Sequence, residues 1–230
     1  MFDSKEKYSQ QVSEILKWDV RSWTTALKYW ERNTESVAGM QGLELGANEG
    51  GISLWMALKG MKVTCSDLQN TRIVAGPLHK KYNLGFQVTY QDINATEIPY
   101  ENHFDVIVFK SIIGGIGRNN NKDHQYKVFC EIHKALKPGG KVLFAENLVA
   151  SPFHRFMRKR FVKWGDSWRY ITLAEMNEFL KPFSYSETRT TGVLAAFGRN
   201  EMQRSILASF DRYVLNPVCP RGWKYIVYGM

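Results

Sequence analysis

From residue 41 onward, short apolar runs alternate with segments of helical periodicity, and this alternation restricts the fold more than any other feature of the sequence. The runs GLELG, MKVTCSD, FQVTYQD, FDVIVFKS and KVLFAEN are typical of strands. FDVIVFKS is almost continuously apolar, as expected for a central strand that is buried on both faces. Strands separated by helices favour crossover connections. With SYSETRTT and KYIVYGM as closing strands, the sequence predicts an α/β fold with a doubly wound, mainly parallel, seven-stranded sheet.

Local signals predict several helix boundaries. Residues 5–32 indicate two helices, and the second carries Trp23, Leu27 and Trp30 at helical spacing, as in a helix packed on the core or in a lid over a cleft. GPLHKKYNLG predicts a short helix that begins at Pro77, because proline suits a first helical turn. KPGG predicts a turn before the fifth strand, and TLAEMNEFLKPF begins with the T-x-x-E spacing of a capping box.

The first strand leads into a glycine-rich corner, LELGANEGG, at residues 43–51. In an open parallel sheet, ligands bind outside the carboxyl ends of the strands, so this corner is a candidate binding loop. Asn48 tolerates a positive φ almost as well as glycine does. Asp67 ends the second strand, 21 residues after Gly46, where a carboxylate can accept hydrogen bonds from a ribose diol. Asp92 ends the third strand at the same edge.

Two kinds of ligand compete for this corner. Gly46, Asn48 and Gly51 nearly satisfy the dinucleotide fingerprint, but a side chain at Asn48 would obstruct the pyrophosphate. Glu44 also places a carboxylate where phosphates would lie. A phosphate-free ligand with a positive centre fits better, and S-adenosylmethionine is such a ligand.

Five segments resemble, in order and spacing, the motif series of the class I S-adenosylmethionine-dependent methyltransferases. They are LELGANEGG, VTCSDL, YQDINATEIPY, FDVIVFKS and LKPGGKVLFAEN, and they cover about residues 41–148. LKPGG before an apolar strand is the most specific of them. Asn48 departs from the middle glycine that is usual in the family. The resemblance implies a Rossmann-like methyltransferase fold with S-adenosylmethionine as cofactor.

The resemblance also implies roles for individual residues. Glu44 would order the corner and hold the amino group of the cofactor, and Asp67 would bind its ribose. The remaining positions implied to contact the cofactor are Gly46, Ala47, Asn48 and Gly50 at the methionine end, Leu68 beside the ribose, Asp92 and Ile93 at the adenine, and Lys110 at the reacting centre. A helix N-cap or a hydrogen bond within a loop is the alternative role for each acid.

A hydroxyl acceptor would benefit from a general base. Topology places His124, after the fourth strand, and His154, after the fifth, on the reactive side of the sheet, whereas His79 is expected within a helix away from it. Glu146, at the end of the fifth strand, is a further candidate because it could position an acceptor. A surface or core role is the alternative for each histidine.

The charge balance bears on the acceptor. Lys plus Arg number 31 against 22 for Asp plus Glu, a net charge of +9, and residues 151–170 supply five of these positive charges. SPFHRFMRKRFVKW predicts a basic amphipathic helix. Its apolar face would cover the acceptor pocket, or residues 153–164 would dock on an anionic membrane or a phosphorylated acceptor. FKSIIGG lacks the N/D-P-P-Y motif of enzymes that methylate base amines, which argues against nucleic acid.

We therefore expect a methyltransferase that acts at oxygen on a small-molecule or saccharide acceptor. An RNA or protein methyltransferase that uses the basic face of residues 151–170 is the alternative, as is an inactive cofactor-binding partner subunit.

One domain is expected over residues 1–230. It comprises an N-terminal helical cap (1–35), a cofactor-binding core (36–150), a helical lid (151–182), and closing strands with a helix (183–230). The polar start MFDSKEKYSQ predicts a cytoplasmic location, and no Cys/His spacing suggests a metal site.

Overall fold

A seven-stranded sheet organises the residues that this computed structural model describes, 2–162 and 167–230. Its strands are β1 Gln41–Leu45, β2 Lys62–Asp67, β3 Val88–Asp92, β4 Phe104–Lys110, β5 Leu136–Asn147, β6 Thr188–Thr191 and β7 Ile226–Gly229. The strand order is β3-β2-β1-β4-β5-β7-β6. Only β7 is antiparallel to its neighbours, β5 and β6. The predicted α/β architecture is confirmed.

Nine principal helices accompany the sheet in the described residues. They are α1 Phe2–Leu16, α2 Val20–Arg32, α3 Gly51–Leu58, α4 Thr71–Lys81, α5 Ile113–Ile116, α6 Lys122–Ala135, α7 Pro152–Phe161, α8 Leu173–Phe179 and α9 Glu201–Phe210. After α9 the chain continues through a wide helical turn, Asp211–Leu215, and a short helix, Asn216–Val218. No helix in these ranges is both long enough and apolar enough to cross a membrane.

The sheet separates two apolar cores because successive side chains of a strand point to opposite faces. In β4, Val106 and Val108 face the core that α1, α2 and α3 cover, whereas Ile107 and Phe109 face the core that α6 and α8 cover. Trp23 of α2 is fully buried in the first core. The helical cap is therefore packed on the sheet, as its apolar stripe predicts.

Helix α4 begins six residues earlier than the sequence predicts. Its N-terminus is capped by a residue of strand β3. Asp92, at the end of that strand, accepts hydrogen bonds from the amides of Asn70 (3.2 Å) and Thr71 (3.0 Å). These amides have no partner within the helix. Pro77 consequently lies inside the helix, and the prediction that the helix begins there is wrong.

The fifth strand also begins earlier than expected. The KPGG segment belongs to β5, where the pairing with β4 shifts register between Phe104 and Val106. Gly139 has φ +77°, which suits glycine. The capping box of α8 is confirmed, since Thr172 and Glu175 each accept from the other's backbone amide.

Candidate functional site

The glycine corner between β1 and α3 contains three left-handed residues in five positions. Gly46, Asn48 and Gly50 have φ of +68°, +46° and +77°. The Ala47 amide donates to the Ser66 carbonyl at 2.9 Å, which ties the corner to the end of β2. Asn48 therefore occupies the left-handed conformation that the sequence predicts it can tolerate.

The glycines of this corner are crowded by the protein itself. A Cβ on Gly51 would lie 2.2 Å from the Ile15 carbonyl oxygen in α1, and a Cβ on Gly46 would lie 2.3 Å from the Ile112 side chain. A Cβ on Gly50 would approach the His79 ring to 2.6 Å. The small residues are thus explained by packing of α1, α4 and Ile112 against the corner.

His79 is a positioning residue that sequence reasoning missed. Its ring is fully buried and lies 2.9 Å from both the Gly50 carbonyl oxygen and the Tyr90 hydroxyl. Since a carbonyl only accepts, Nε2 carries the proton and Nδ1 accepts from Tyr90. Burial lowers the pKa of His79, so the ring stays neutral. The sequence correctly predicts that His79 lies within a helix. The expectation that it lies away from the carboxyl edge is wrong, because its side chain reaches Gly50 at that edge.

Asp67 joins the ends of β1 and β2 at this edge. Its Oδ2 accepts from the Asn48 amide and its Oδ1 from the Leu68 amide, both at 2.7 Å. The carboxylate is half-buried, whereas the Leu68 side chain is exposed. The structure thus brings Asp67 and the corner into direct contact.

Asp92 lies on the same edge but serves helix α4. In addition to the two amide bonds, it accepts from the Thr71 hydroxyl at 2.7 Å. The hydrogen bonds from Thr71 hold the pKa of this carboxyl below its usual range. Ile93 is buried, and its amide donates to the Asp67 carbonyl oxygen at 2.8 Å. Helix capping is the alternative that the sequence left open for Asp92.

Two buried carboxylates lie at the ends of β1 and β5. Glu44 accepts from the Ser53 amide at 2.6 Å, at the start of α3. Glu146 accepts from the amides of Ile113 (2.7 Å) and Asn147 (2.8 Å). Burial raises the pKa of both Glu44 and Glu146 to about 7, against the opposing effect of these hydrogen bonds.

Lys110, at the end of β4, lies between these acids and the helical cap. Its ammonium is 4.7 Å from the ring centroid of Trp23 in α2, a cation–π contact. Desolvation lowers the pKa of Lys110, while Glu146, Glu44 and Asp19 act in the opposite direction.

The cap also contributes an acid that the sequence did not indicate. Asp19 is fully buried just before α2 and accepts from the Tyr225 hydroxyl. Burial raises its pKa to about 6. Its Oδ1 has no hydrogen-bond partner among the described residues. Three buried carboxylates therefore surround a single lysine at this edge.

The two candidate histidines differ sharply in environment. His154 is 2% exposed; its Nε2 lies 2.7 Å from the Val193 carbonyl oxygen and its Nδ1 2.7 Å from the Ser151 hydroxyl. Burial lowers its pKa to about 4. Both ring nitrogens are occupied, which suits a structural role. His124 is exposed in the first turn of α6.

Helix α7 has the opposite orientation from the predicted lid. Phe153, Phe156 and Phe161 are 55%, 64% and 67% exposed, whereas His154 is buried and Arg158 half-buried. The phenylalanines therefore do not cover a pocket. Lys163, Trp164 and Asp166, which the sequence assigned to the same segment, lie outside the described residues.

The segment after these residues packs on α5. Trp168 lies against a glycine pair, since a Cβ on Gly114 would be 1.7 Å from Trp168 Nε1 and a Cβ on Gly115 3.0 Å from its ring. The Arg169 amide donates to the Gly114 carbonyl at 3.0 Å. The glycines of FKSIIGG thus position an aromatic side chain beside the end of β4.

Residues 43–144 match the model of a family described as a methyltransferase domain. The chain is 28% identical over 118 residues to a ubiquinone biosynthesis O-methyltransferase of Pseudomonas syringae pv. tomato, which is 50% of this chain and 48% of that protein. The chain thus spans about half the length of the curated relatives it matches.

Two solved structures show the same fold at low identity. A phosphoethanolamine N-methyltransferase 2 of Haemonchus contortus, in complex with phosphomonomethylethanolamine and S-adenosylhomocysteine, is 22% identical with a TM-score of 0.59; the match covers 90% of this chain and 52% of that one. A putative sarcosine dimethylglycine methyltransferase of Galdieria sulphuraria is 18% identical with a TM-score of 0.61 over 90% of this chain and 84% of that one.

Proposed function

We propose that the chain is a class I S-adenosylmethionine-dependent methyltransferase, which binds S-adenosylmethionine at the carboxyl edge of its sheet and methylates a small-molecule acceptor. The observation that carries the proposal is the Asp67 carboxylate, which lies against the left-handed corner at the end of β2. Each oxygen of a carboxylate has more than one acceptor site. Asp67 can therefore keep its two amide bonds and accept from two ribose hydroxyls.

The charge at this edge also supports the cofactor. Asp19, Glu44 and Glu146 outnumber Lys110, so the edge favours a cationic ligand when the three acids are ionised. S-adenosylmethionine carries a sulfonium and an ammonium and no phosphate. A dinucleotide would place its diphosphate among the same carboxylates, which is unfavourable.

The bound cofactor supplies an activated methyl group, so the chain needs no covalent catalysis. Its own task is to hold the acceptor in line with the methyl–sulfur bond and to exclude water. Ser111 and Asn147, whose side chains are hydrogen-bonded at 2.6 Å, lie at the ends of β4 and β5 where an acceptor would be held. Of the predicted base candidates, His154 has no free nitrogen to offer, and we assign no base.

The relatives suggest the acceptor class. The curated relatives are named as O-methyltransferases of ubiquinone biosynthesis, and the Haemonchus contortus enzyme is seen with a phosphorylated amine. Both names point to small molecules, and we propose oxygen as the acceptor atom. A saccharide acceptor and a cytoplasmic location stay predictions.

Calorimetry with S-adenosylmethionine tests the cofactor site. Asp67→Asn keeps the shape of the side chain but removes its charge, and we expect a loss of about 2 kcal/mol, or roughly 30-fold in Kd, the scale of a hydrogen bond to a charged group. Glu49→Gln is the matched control, because Glu49 lies in the same corner and, among the described residues, forms a salt bridge only with Lys17 at the surface. Equal affinities for Asp67→Asn and wild type would refute the ribose assignment.

Transfer of radiolabelled methyl groups from S-adenosylmethionine tests the activity. Label in a small-molecule fraction of a cell extract supports the proposal. Label in RNA or protein would replace it with the alternative that uses the basic face. Tight cofactor binding without turnover on any fraction would indicate an inactive partner subunit.

A further inference from the structure

An open cavity of about 300 Å³ lies between α7 and residues 167–170. Its described lining includes four cationic side chains and two aromatic ones, and no carboxylate. They are Arg155, Arg158, Lys159, Arg169, Trp168 and Tyr170. A cavity of this size holds a small ligand or part of one. The imbalance of charge makes an anion the natural occupant.

Arg158 is the fixed cation of this cavity. Its guanidinium lies 3.8 Å from the ring centroid of Tyr170, and Nη1 donates to the carbonyl oxygens of Leu148 (2.6 Å) and Val149 (3.1 Å). Burial lowers its pKa, but an arginine stays charged. No carboxylate forms a salt bridge with it within residues 2–162 and 167–230, although the charge of Glu146 acts on it at longer range. A partly buried charge without a carboxylate in direct contact is unfavourable, and an anionic ligand would supply that contact.

Of the other three cations of the cavity, Arg169 forms a salt bridge with an acidic residue, whereas Arg155 and Lys159 form none in the described residues. Arg169 donates to Glu175 and to Gln125 Oε1, each at 2.5 Å. Arg155 and Lys159 are exposed and have no acidic partner in the described part of the chain. They lie three positions before and one after Arg158, on one side of α7. Three cations without a salt bridge in the described residues thus converge on one opening.

The cavity lies next to the proposed reacting centre. Leu148 and Val149, which hold Arg158, follow Glu146 and Asn147 at the end of β5. Trp168 is fixed on the other side by its contact with α5. An acceptor whose charged end occupies the cavity would therefore extend its other end toward the carboxyl edge.

We propose that this cavity binds a phosphate monoester on the methyl acceptor, an inference that rests on the proposed methyltransferase function. Two guanidinium groups and an ammonium match the charge and the geometry of a phosphate dianion better than those of a single carboxylate. Arg155, Arg158 and Lys159 bind the anion, and the aromatic side chains of Trp168 and Tyr170 contact the part of the acceptor that follows it.

Equilibrium dialysis with radiolabelled inorganic phosphate, at constant ionic strength and on the S-adenosylmethionine-saturated protein, tests the inference. Arg155→Gln with Lys159→Gln is the informative variant, because neither side chain makes a hydrogen bond within residues 2–162 and 167–230. Arg160→Gln is the matched control, since Arg160 is exposed on the same helix but does not line the cavity. We expect saturable binding that weakens at least tenfold in the double variant and less than twofold in the control.

Two results would overturn the inference. One is the absence of saturable phosphate binding by the wild-type protein. The other is an equal loss in the double variant and the control, which would indicate a diffuse basic surface. Sedimentation with vesicles of phosphatidylglycerol and phosphatidylcholine separates a lipid headgroup from a free phosphate. Vesicle binding that depends equally on Arg155, Lys159 and Arg160, without binding of inorganic phosphate, contradicts the cavity site.

Cofactor calorimetry on the same variants separates this inference from the proposed function. Unchanged S-adenosylmethionine affinity together with absent phosphate binding would reject the phosphate site alone. Absent S-adenosylmethionine binding by the wild-type protein would reject the proposed function. Phosphate dialysis without the cofactor would then still report on the cavity.

Discussion

Acidification should destabilise the protein through His154, by an amount that its environment fixes. The pKa of this histidine falls from 6.5 to about 4 because the ring is buried and Arg158 lies nearby. Between these values the unfolded chain binds the proton and the folded chain does not, so stability is lost as the pH falls below about 6.5. At pH 5 the loss is about 2 kcal/mol, and below pH 4 it approaches about 3 kcal/mol.

The total pH profile will not show this loss by itself. Glu44 and Glu146 have pKa values of about 7 in the folded protein, above those in the unfolded chain. They therefore bind protons in the folded state first, and this stabilises the folded protein as the pH falls from 7 toward 4. His154→Gln isolates the histidine, because glutamine can still donate to the Val193 carbonyl but carries no charge. The stability difference between wild type and variant should shrink by about 2 kcal/mol from pH 7.5 to pH 5.

Urea unfolding followed by circular dichroism at pH 7.5, 6 and 5 measures that difference. His124→Gln makes the same change at an exposed position in α6 and should follow the wild type at each pH. A difference between wild type and His154→Gln that stays constant over this range would refute the reasoning. It would mean that the pKa of His154 is the same in the folded protein and in the unfolded chain, and a proton-accepting role for His154 near neutral pH would return.

Three further predictions follow from local geometry. Gly114→Ala places a methyl group 1.7 Å from Trp168 Nε1; it should cost about 1–3 kcal/mol in thermal unfolding and shift tryptophan emission without changing cofactor affinity. Asn48→Gly should leave cofactor affinity within about twofold in calorimetry, since only the left-handed backbone is needed, whereas Asn48→Val should weaken it. Thr172→Ala removes the capping box with Glu175 and should lower the urea unfolding free energy by about 1 kcal/mol; no change would contradict the cap.

The sequence predicted the sheet because strand periodicity and buried apolar runs are local signals. It predicted Asp67 at the carboxyl edge for the same reason, since the end of a strand locates the edge. Helix α4 was placed wrongly because the group that caps it, Asp92, lies 21 residues after Thr71 in the chain. Pro77 is a strong local signal, and a nonlocal cap outweighed it.

The site depends more heavily on such nonlocal contacts. His79 reaches Gly50, and Asp19 reaches Tyr225 across almost the whole chain, and neither pairing leaves a pattern in the sequence. The orientation of α7 was also beyond prediction. Its amphipathic pattern correctly predicts a helix, but which side faces the protein depends on Leu148 and Val149, whose carbonyls bind Arg158. The roles proposed for individual cofactor-contacting residues stay predictions.

The contact between α1 and the glycine corner has a consequence for recombination with proteins of the same fold. The Ile15 carbonyl oxygen occupies the space that a side chain at position 51 would need. A chimera that grafts this cap onto the core of another such protein must therefore have a glycine at that position. A core with alanine there would force α1 away from the corner, so cap and corner have to be exchanged as one unit.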